Sequence, residues 1–272
     1  MQGEGTLEQV LSGDARWAVV CGDCLAVLPT LPARSVDHVI TDPPYEAEAH
    51  TKQRRSLKDA TQRRGAVNSG AVRYADGALP FPAITNDERA LVGRDVARVA
   101  QRWAVLFCQI EAVGDWRECL VTGGLEWVRG GVWRKPDGMP QFTGDRPGQG
   151  FECVAIAHPK GRKRWNGGGR HAVWTHGLSH GHGGGGRNEH PTQKPLPLML
   201  ELLSDFTDPD ELILDPFAGS GTTGVAALRL GRRVILIERE QKWADLCRER
   251  LRAEEDGSTL AARRAGQVPL WR

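Results

Sequence analysis

Six short apolar runs recur along the chain, at residues 17–21, 38–41, 104–108, 154–157, 212–214 and 234–237, and none contains a carboxylate, a lysine or an arginine. Runs that do not alternate with polar residues suit strands buried on both faces, so they predict a mainly parallel sheet. Helical periodicity fills the gaps between them. Residues 86–101 set Leu91, Val92, Val96 and Val99 among arginine and aspartate, and residues 196–206 follow Pro195 and are rich in leucine. Residues 222–230 stop at Gly231, and residues 241–251 carry Trp243, Leu246, Cys247 and Leu251 amid alternating charge. Strands alternating with helices predict a doubly wound α/β fold. The expected organisation is one domain over residues 1–252, interrupted by segments 46–80 and 136–190, with a frayed tail at 253–272.

Two stretches depart from the periodic pattern. Residues 46–80 are polar, and their first half holds Lys52, Arg54, Arg55, Lys58, Arg63 and Arg64 against a single Asp59. Residues 159–190 are glycine-rich and carry Lys160, Arg162, Lys163, Arg164, Arg170 and Arg187, with Trp165, Trp174 and five histidines. Long segments of this kind inside a domain are functional or disordered. Those histidines (His171, His176, His180, His182 and His190) lack regular ligand spacing, so no metal site is assigned.

Composition narrows the picture little. The 272 residues suffice for one substantial domain, and a net charge of +2 means that any polyanion must be met by local clusters. No apolar stretch is long enough to span a bilayer. The opening residues lack the basic flank and apolar run of a signal peptide, so a soluble cytoplasmic protein is expected. Of six cysteines, Cys21, Cys108, Cys153 and Cys247 lie in or beside apolar runs and are expected in the core. Cys21 and Cys24 have C-x-x-C spacing, but no second pair accompanies them.

Chemistry concentrates in two places. Residues 211–224 read as a strand, a tight turn and a helix start, with Gly219, Gly221 and Gly224 in G-x-G-x-x-G spacing. The first two let the backbone turn and approach a ligand, and the third lets helix and strand pack closely. A second strand ends at Glu238, about 20 residues on, where a carboxylate can accept from ribose hydroxyls. The motif alone fits a dinucleotide equally well. Asp215 tips the balance toward S-adenosylmethionine, because a carboxylate there can pair with a cationic amino group and repels a pyrophosphate. Too little chain follows Glu238 to complete a nucleotide-binding sheet, so the other strands must come from upstream.

The second place is residues 35–45. A buried strand delivers Asp42, Pro43, Pro44 and Tyr45 to its C-terminal edge, where open α/β sheets bind ligands. The prolines stiffen the turn and remove backbone donors. Asp42 and the Pro43 carbonyl can together accept both hydrogens of an amino group, directing its lone pair at a methyl donor. Tyr45 offers a face for a base drawn out of the stack. A sulfonium methyl is already electrophilic, so positioning does most of the work and no cysteine nucleophile is needed.

The sequence resembles the β class of DNA amino-methyltransferases, which modify N6 of adenine or N4 of cytosine. The resemblance rests on Gly22-Asp23-Cys24-Leu25, Thr41-Asp42-Pro43-Pro44-Tyr45, His190-Pro191-Thr192-Gln193-Lys194-Pro195, the stretch from Asp215 to Thr223, and Ile237-Glu238-Arg239-Glu240. It covers most of the chain except residues 46–80 and 110–190. It implies a Rossmann-like, circularly permuted methyltransferase fold with the catalytic motif ahead of the cofactor motif. The implied cofactor set is Asp23 by the adenine, Thr192 and Lys194 by the methionine end, and Asp215, Pro216, Phe217, Gly219, Gly221, Thr222 and Glu238. Aspartate at the head of the catalytic motif is the commoner choice among the class's adenine enzymes.

DNA is therefore the expected partner. Lys52, Arg54, Arg55, Arg63 and Arg64 are candidates for phosphate contacts, as are Arg162, Lys163 and Arg164, while Trp165, His171 and Trp174 are candidates to wedge or stack. A cytosine-N4 enzyme, an NAD(P)-dependent oxidoreductase and a non-catalytic DNA-binding protein are the alternatives. Homodimer formation and a restriction endonuclease partner stay open.

Overall fold

The computed structural model describes residues 2–45, 83–138, 144–178 and 193–266. Its strands are β1 (Gln2–Glu4), β2 (Ala15–Cys21), β3 (His38–Thr41), β4 (Ala104–Cys108), β5 (Glu126–Arg134), β6 (Phe151–His158), β7 (Val173–Thr175), β8 (Leu212–Asp215) and β9 (Arg233–Glu238). The helices are α1 (Leu7–Ser12), α2 (Cys24–Val27), α3 (Asn86–Val99), α4 (Val113–Thr122), α5 (Leu196–Phe206), α6 (Thr222–Arg229), α7 (Gln241–Glu255) and α8 (Leu260–Arg264).

Among the described residues the strands form one sheet in the order β1-β2-β9-β8-β3-β4-β6-β5-β7. Every neighbouring pair is parallel except the two made by β6, with β4 and with β5. The last strand, β9, pairs with β2, so upstream chain does complete the sheet. One core lies on the face covered by α3 and α4, around Val92, Val96, Trp116 and Leu120. The other lies under α5, α6 and α7, around Leu202, Ala226, Ala244 and Leu251. The central strands therefore bury both faces, which is why β3, β4 and β8 are buried along their whole length.

Helix starts follow local chemistry. Thr85 and Glu88 form a reciprocal capping box at the head of α3, as Thr6 and Gln9 do for α1. The sheet's two halves diverge at the β8–β3 pair: the chain leaves β3 toward β4 on one side, and β8 toward β9 on the other. A crevice at the C-terminal ends of these strands is the standard ligand position in such sheets.

Several expectations need correction. Residues 136–190 are not simply an insertion, because β6 lies inside the sheet and β7 forms its edge. The tail expected from residue 253 begins within α7, where Ala253 is buried, and α8 follows, capped by Thr259. Cys21 is exposed, because it is the last residue of β2, beyond the covered part of the strand. Helix α4, α1 and strands β1, β5 and β7 were not expected from the periodicity.

Candidate active site

The parallel strands β2, β9, β8, β3 and β4 end on one edge at Cys21, Glu238, Asp215, Thr41 and Cys108. Because β6 is antiparallel, its start lies on that same edge, with Cys153 opposite Cys108 and Glu152 opposite Trp133 of β5. Asp42 follows β3 directly. The Thr41 hydroxyl donates to Asp215 Oδ1 at 2.6 Å, joining the Asp42 turn to the glycine turn after β8.

Asp42 is one member of a buried polar cluster. Lys194, immediately ahead of Pro195 and α5, pairs with Asp42 Oδ2 and lies 3.2 Å from Glu152 Oε2. The Tyr45 hydroxyl donates to Glu152 Oε2 at 2.5 Å, and Lys135 pairs with Glu152 Oε1. The Lys194 ammonium also faces the rings of Phe107, Tyr45 and Trp133, at 5.0, 5.5 and 5.8 Å from their centroids. The other oxygen of Asp42, Oδ1, is buried and has no hydrogen-bond partner among the described residues. An unmet buried acceptor is costly and marks a place for a donor.

Burial raises the Asp42 carboxyl above the ordinary aspartate range, against the pull of Lys194, and the nearby Glu152 adds to the rise. For Glu152, burial is outweighed by Lys194 and Lys135, which bring it down to about 2. Lys194 is held above its ordinary value: burial opposes the charge, but Asp42 and Glu152 more than compensate. Glu152, Lys135, Phe107 and Trp133 were not expected in the site. The available signal was Glu152 itself, a charge at the head of the apolar strand Phe151–His158.

On the β8–β9 side, Glu238 accepts from the amides of Gly219 and Glu240, both at 2.8 Å, which fixes its carboxylate beneath the turn. Asp23 caps α2 by accepting from the Leu25 amide at 2.9 Å and is exposed beside the end of β9. Phe217 and Gly219 are half-buried, whereas Pro216, Gly221 and Thr222 are buried and shape the turn. Gly219 and Gly221 both have positive φ, 53° and 77°. Two carboxylates on one rim and an open turn between them fit a ligand with vicinal hydroxyls and an extended body. Thr192 lies outside the described residues.

Asp215 is enclosed at the end of β8. It is 2% exposed, and its Oδ1 accepts from Thr41 and, at 3.1 Å, from the Phe217 amide. The carboxylate thus braces the fold at the end of a strand enclosed on both faces. Burial raises its carboxyl to about 6. A folded value above the unfolded one means that the native state keeps the proton longer. The resulting stability is complete below the ordinary aspartate value and is lost as pH rises toward 6. Asp215→Asn is therefore expected to lose less stability between about pH 4 and pH 7 than the parent, by up to ~3 kcal/mol, measured by urea unfolding at both.

The glycine-rich stretch departs from expectation. Lys163 pairs with Glu126 at the start of β5, Arg164 pairs with Asp208, and the Arg164 carbonyl accepts from Trp103 just ahead of β4. These residues, with exposed Arg162, belong to the opposite edge of the sheet. The five residues of β4 separate them from the Asp42 edge, roughly 16 Å at about 3.3 Å per residue. Trp174 is 2% exposed and donates to Asp205 at 2.9 Å, and Trp165 packs on Phe206 with centroids 5.0 Å apart. Trp174 is thus enclosed, while Trp165 is half-buried. His171 is exposed and His176 meets Glu201 at 2.6 Å, while His180, His182 and His190 lie outside the described residues. So do Lys52, Arg54, Arg55, Lys58, Arg63, Arg64 and Arg187.

The DNA methylase family model matches residues 127–249. "Putative methylase YubD" of Escherichia coli (strain K12) is 30% identical over 235 residues, covering 85% of this chain and 88% of that protein. The chain belongs to the N6/N4 DNA methylase family. Type II methyltransferase M.HinfI of Haemophilus influenzae is 27% identical over 257 residues, covering 86% of this chain and 68% of that protein. The fold is shared with the crystal structure of the M1.HpyAVI-SAM complex, at a TM-score of 0.61 and 24% identity, covering 86% of this chain and 98% of that one. It is also shared with the PvuII DNA methyltransferase (cytosine-N4-specific), at 0.63 and 17%, covering 86% and 85%. The matched family region includes much of residues 110–190, where no motif was recognisable. No helix among the described residues is long and apolar enough to cross a membrane.

Proposed function

We propose that this family member transfers a methyl group from S-adenosylmethionine to N6 of an adenine drawn out of DNA. The observation that carries the reading is Asp42 Oδ1, a buried acceptor with no partner among the described residues, on the strand beside the glycine turn. Asp42 and the Pro43 carbonyl accept the two amine hydrogens, Pro44 stiffens the turn, and Tyr45 supplies a stacking face. Asp23 and Glu238 hold the cofactor's adenosine end, Phe217 and Gly219 lie along its body, and Lys194 stands toward the methionine end, to which the resemblance also assigns Thr192. When bound, the cofactor supplies an electrophilic methyl, so the residues here orient and desolvate the amine rather than form a covalent bond.

Adenine is favoured because aspartate heads the catalytic motif, as is commoner in adenine enzymes of the class. Cytosine N4 is the second reading, since the same two acceptors serve either amine and a cytosine-N4-specific enzyme shares the fold. Incubation with DNA and labelled cofactor, then digestion to nucleosides and mass spectrometry, is expected to yield N6-methyladenine. N4-methylcytosine would select the second reading. Binding of NAD in place of S-adenosylmethionine, or cofactor binding without methylated DNA, would overturn both. A cytoplasmic enzyme with access to DNA is part of the proposal.

Lys52, Arg54, Arg55, Arg63 and Arg64 are proposed to neutralise phosphates. Reversing Arg54 and Arg55 to glutamate is expected to weaken DNA binding and flatten the plot of log affinity against log salt by about two. The same reversal at Lys163 and Arg164, on the other edge of the sheet, is expected to leave the slope unchanged. Fluorescence anisotropy across a salt series measures both.

A further inference from the structure

We infer that Glu152 is a positioning residue for methyl transfer, acting through Tyr45 and Lys194. The inference rests on the functional reading above and adds a residue that its motifs do not contain. Glu152 lies on β6, far in sequence from Tyr45 and Lys194, and its side chain is 14% exposed. All the acceptor capacity it shows is turned to the site: Oε2 takes the Tyr45 hydroxyl at 2.5 Å and the Lys194 ammonium at 3.2 Å, and Oε1 takes Lys135.

Two consequences follow for the reacting geometry. A phenol tethered at its hydroxyl cannot swing about its side-chain torsions, so the Tyr45 face that stacks the base is fixed before the base arrives. Lys194, shared between two carboxylates, is also held off Asp42 Oδ1, which stays open to the substrate amine. Without Glu152, Lys194 has Asp42 as its one remaining acidic partner among the described residues and draws that carboxylate out of its accepting orientation. Lys135 keeps the arrangement affordable in a dry site by balancing the second negative charge.

The test compares Glu152→Ala, Glu152→Gln, Tyr45→Phe and Glu152→Ala with Tyr45→Phe in methyl transfer to DNA, alongside cofactor binding and thermal melting. Glu152→Ala is expected to lower kcat about 100-fold while the cofactor Kd stays within threefold. Tyr45→Phe is expected to lower kcat about tenfold. In the Tyr45→Phe background the effect of Glu152→Ala should shrink at least threefold, because part of it runs through the lost hydroxyl. Glu152→Gln keeps an acceptor for Tyr45 and removes the charge, so its loss should be intermediate. It should also move the acid limb of kcat/KM to lower pH, since the charge that raises the Asp42 carboxyl is gone. If Glu152→Ala does not fold, the isosteric glutamine variant carries the test.

Wild-type rates in Glu152→Gln, fully multiplicative effects with Tyr45→Phe, or an unmoved acid limb would overturn the inference while leaving the function intact. A parent protein that methylates no DNA would overturn the function and this inference together.

Discussion

Asp42→Ala is expected to lower kcat for methyl transfer by at least about 1,000-fold while cofactor affinity changes less than threefold. The alanine removes the one buried acceptor at the end of β3 that has no partner among the described residues, and the Pro43 carbonyl alone cannot orient both amine hydrogens. The fold should survive. Glu152 stays 3.2 Å from Lys194, so the substitution does not leave an unpaired buried ammonium. Loss of binding to both cofactor and DNA, or a kcat within tenfold of the parent, would contradict the role. The parent should lose activity as pH falls through the raised Asp42 value, because a protonated carboxyl no longer accepts from the amine at that oxygen. Stopped-flow or single-turnover transfer isolates this chemical step from product release.

Gly221→Val is expected to lower cofactor affinity at least about 30-fold and to reduce the melting temperature by roughly 8 °C. The reason differs from the close ligand approach that the motif suggests. A Cβ at Gly221 meets Cys247 of α7, with Sγ at 2.9 Å and Cβ at 3.2 Å, and the φ of +77° strains any branched side chain. Helix α7 also holds the turn directly, since Cys247 Sγ donates to the Gly219 carbonyl and Arg250 donates to the Ser220 carbonyl at 2.6 Å. Pushing α7 outward therefore distorts the glycine turn from behind. Gly221→Ala should show a smaller loss, and adding Cys247→Ala should recover part of it. No recovery would restore the ligand-contact explanation. Isothermal titration and calorimetric melting give the two quantities.

The sheet was legible where burial was uniform. The run at 38–41 became β3 with those bounds because every residue in it is buried, and 196–206 became α5, whose Leu198, Met199, Leu202, Leu203 and Phe206 form a buried stripe. Strand β5 was not legible, since Gly130, Gly131 and arginines interrupt it and it mixes exposed with buried positions. Helix α4 was hidden because only Trp116 and Leu120 along it are buried, too sparse an apolar stripe to show a helical period. In the site, the motif residues Asp42, Tyr45 and Lys194 do meet. Lys135 and Glu152 were missed because they lie at strand ends outside every recognisable motif: Lys135 follows β5, whose pattern was not legible, and Glu152 precedes the apolar run 154–157. The ion pairs of Lys163 with Glu126 and of Arg164 with Asp208 were not legible either, because those carboxylates are distant along the chain.

The link between Thr41 and Asp215 has an evolutionary consequence. The turn proposed to present the amine acceptor and the turn proposed to cradle the methyl source leave two adjacent parallel strands, cross-braced by that hydroxyl. In the proposed reaction the spacing between reactants is thereby set by the centre of the sheet and not by the segments proposed to read DNA. Target preference can thus be exchanged by grafting those segments between relatives, with the bond-forming distance carried over unchanged.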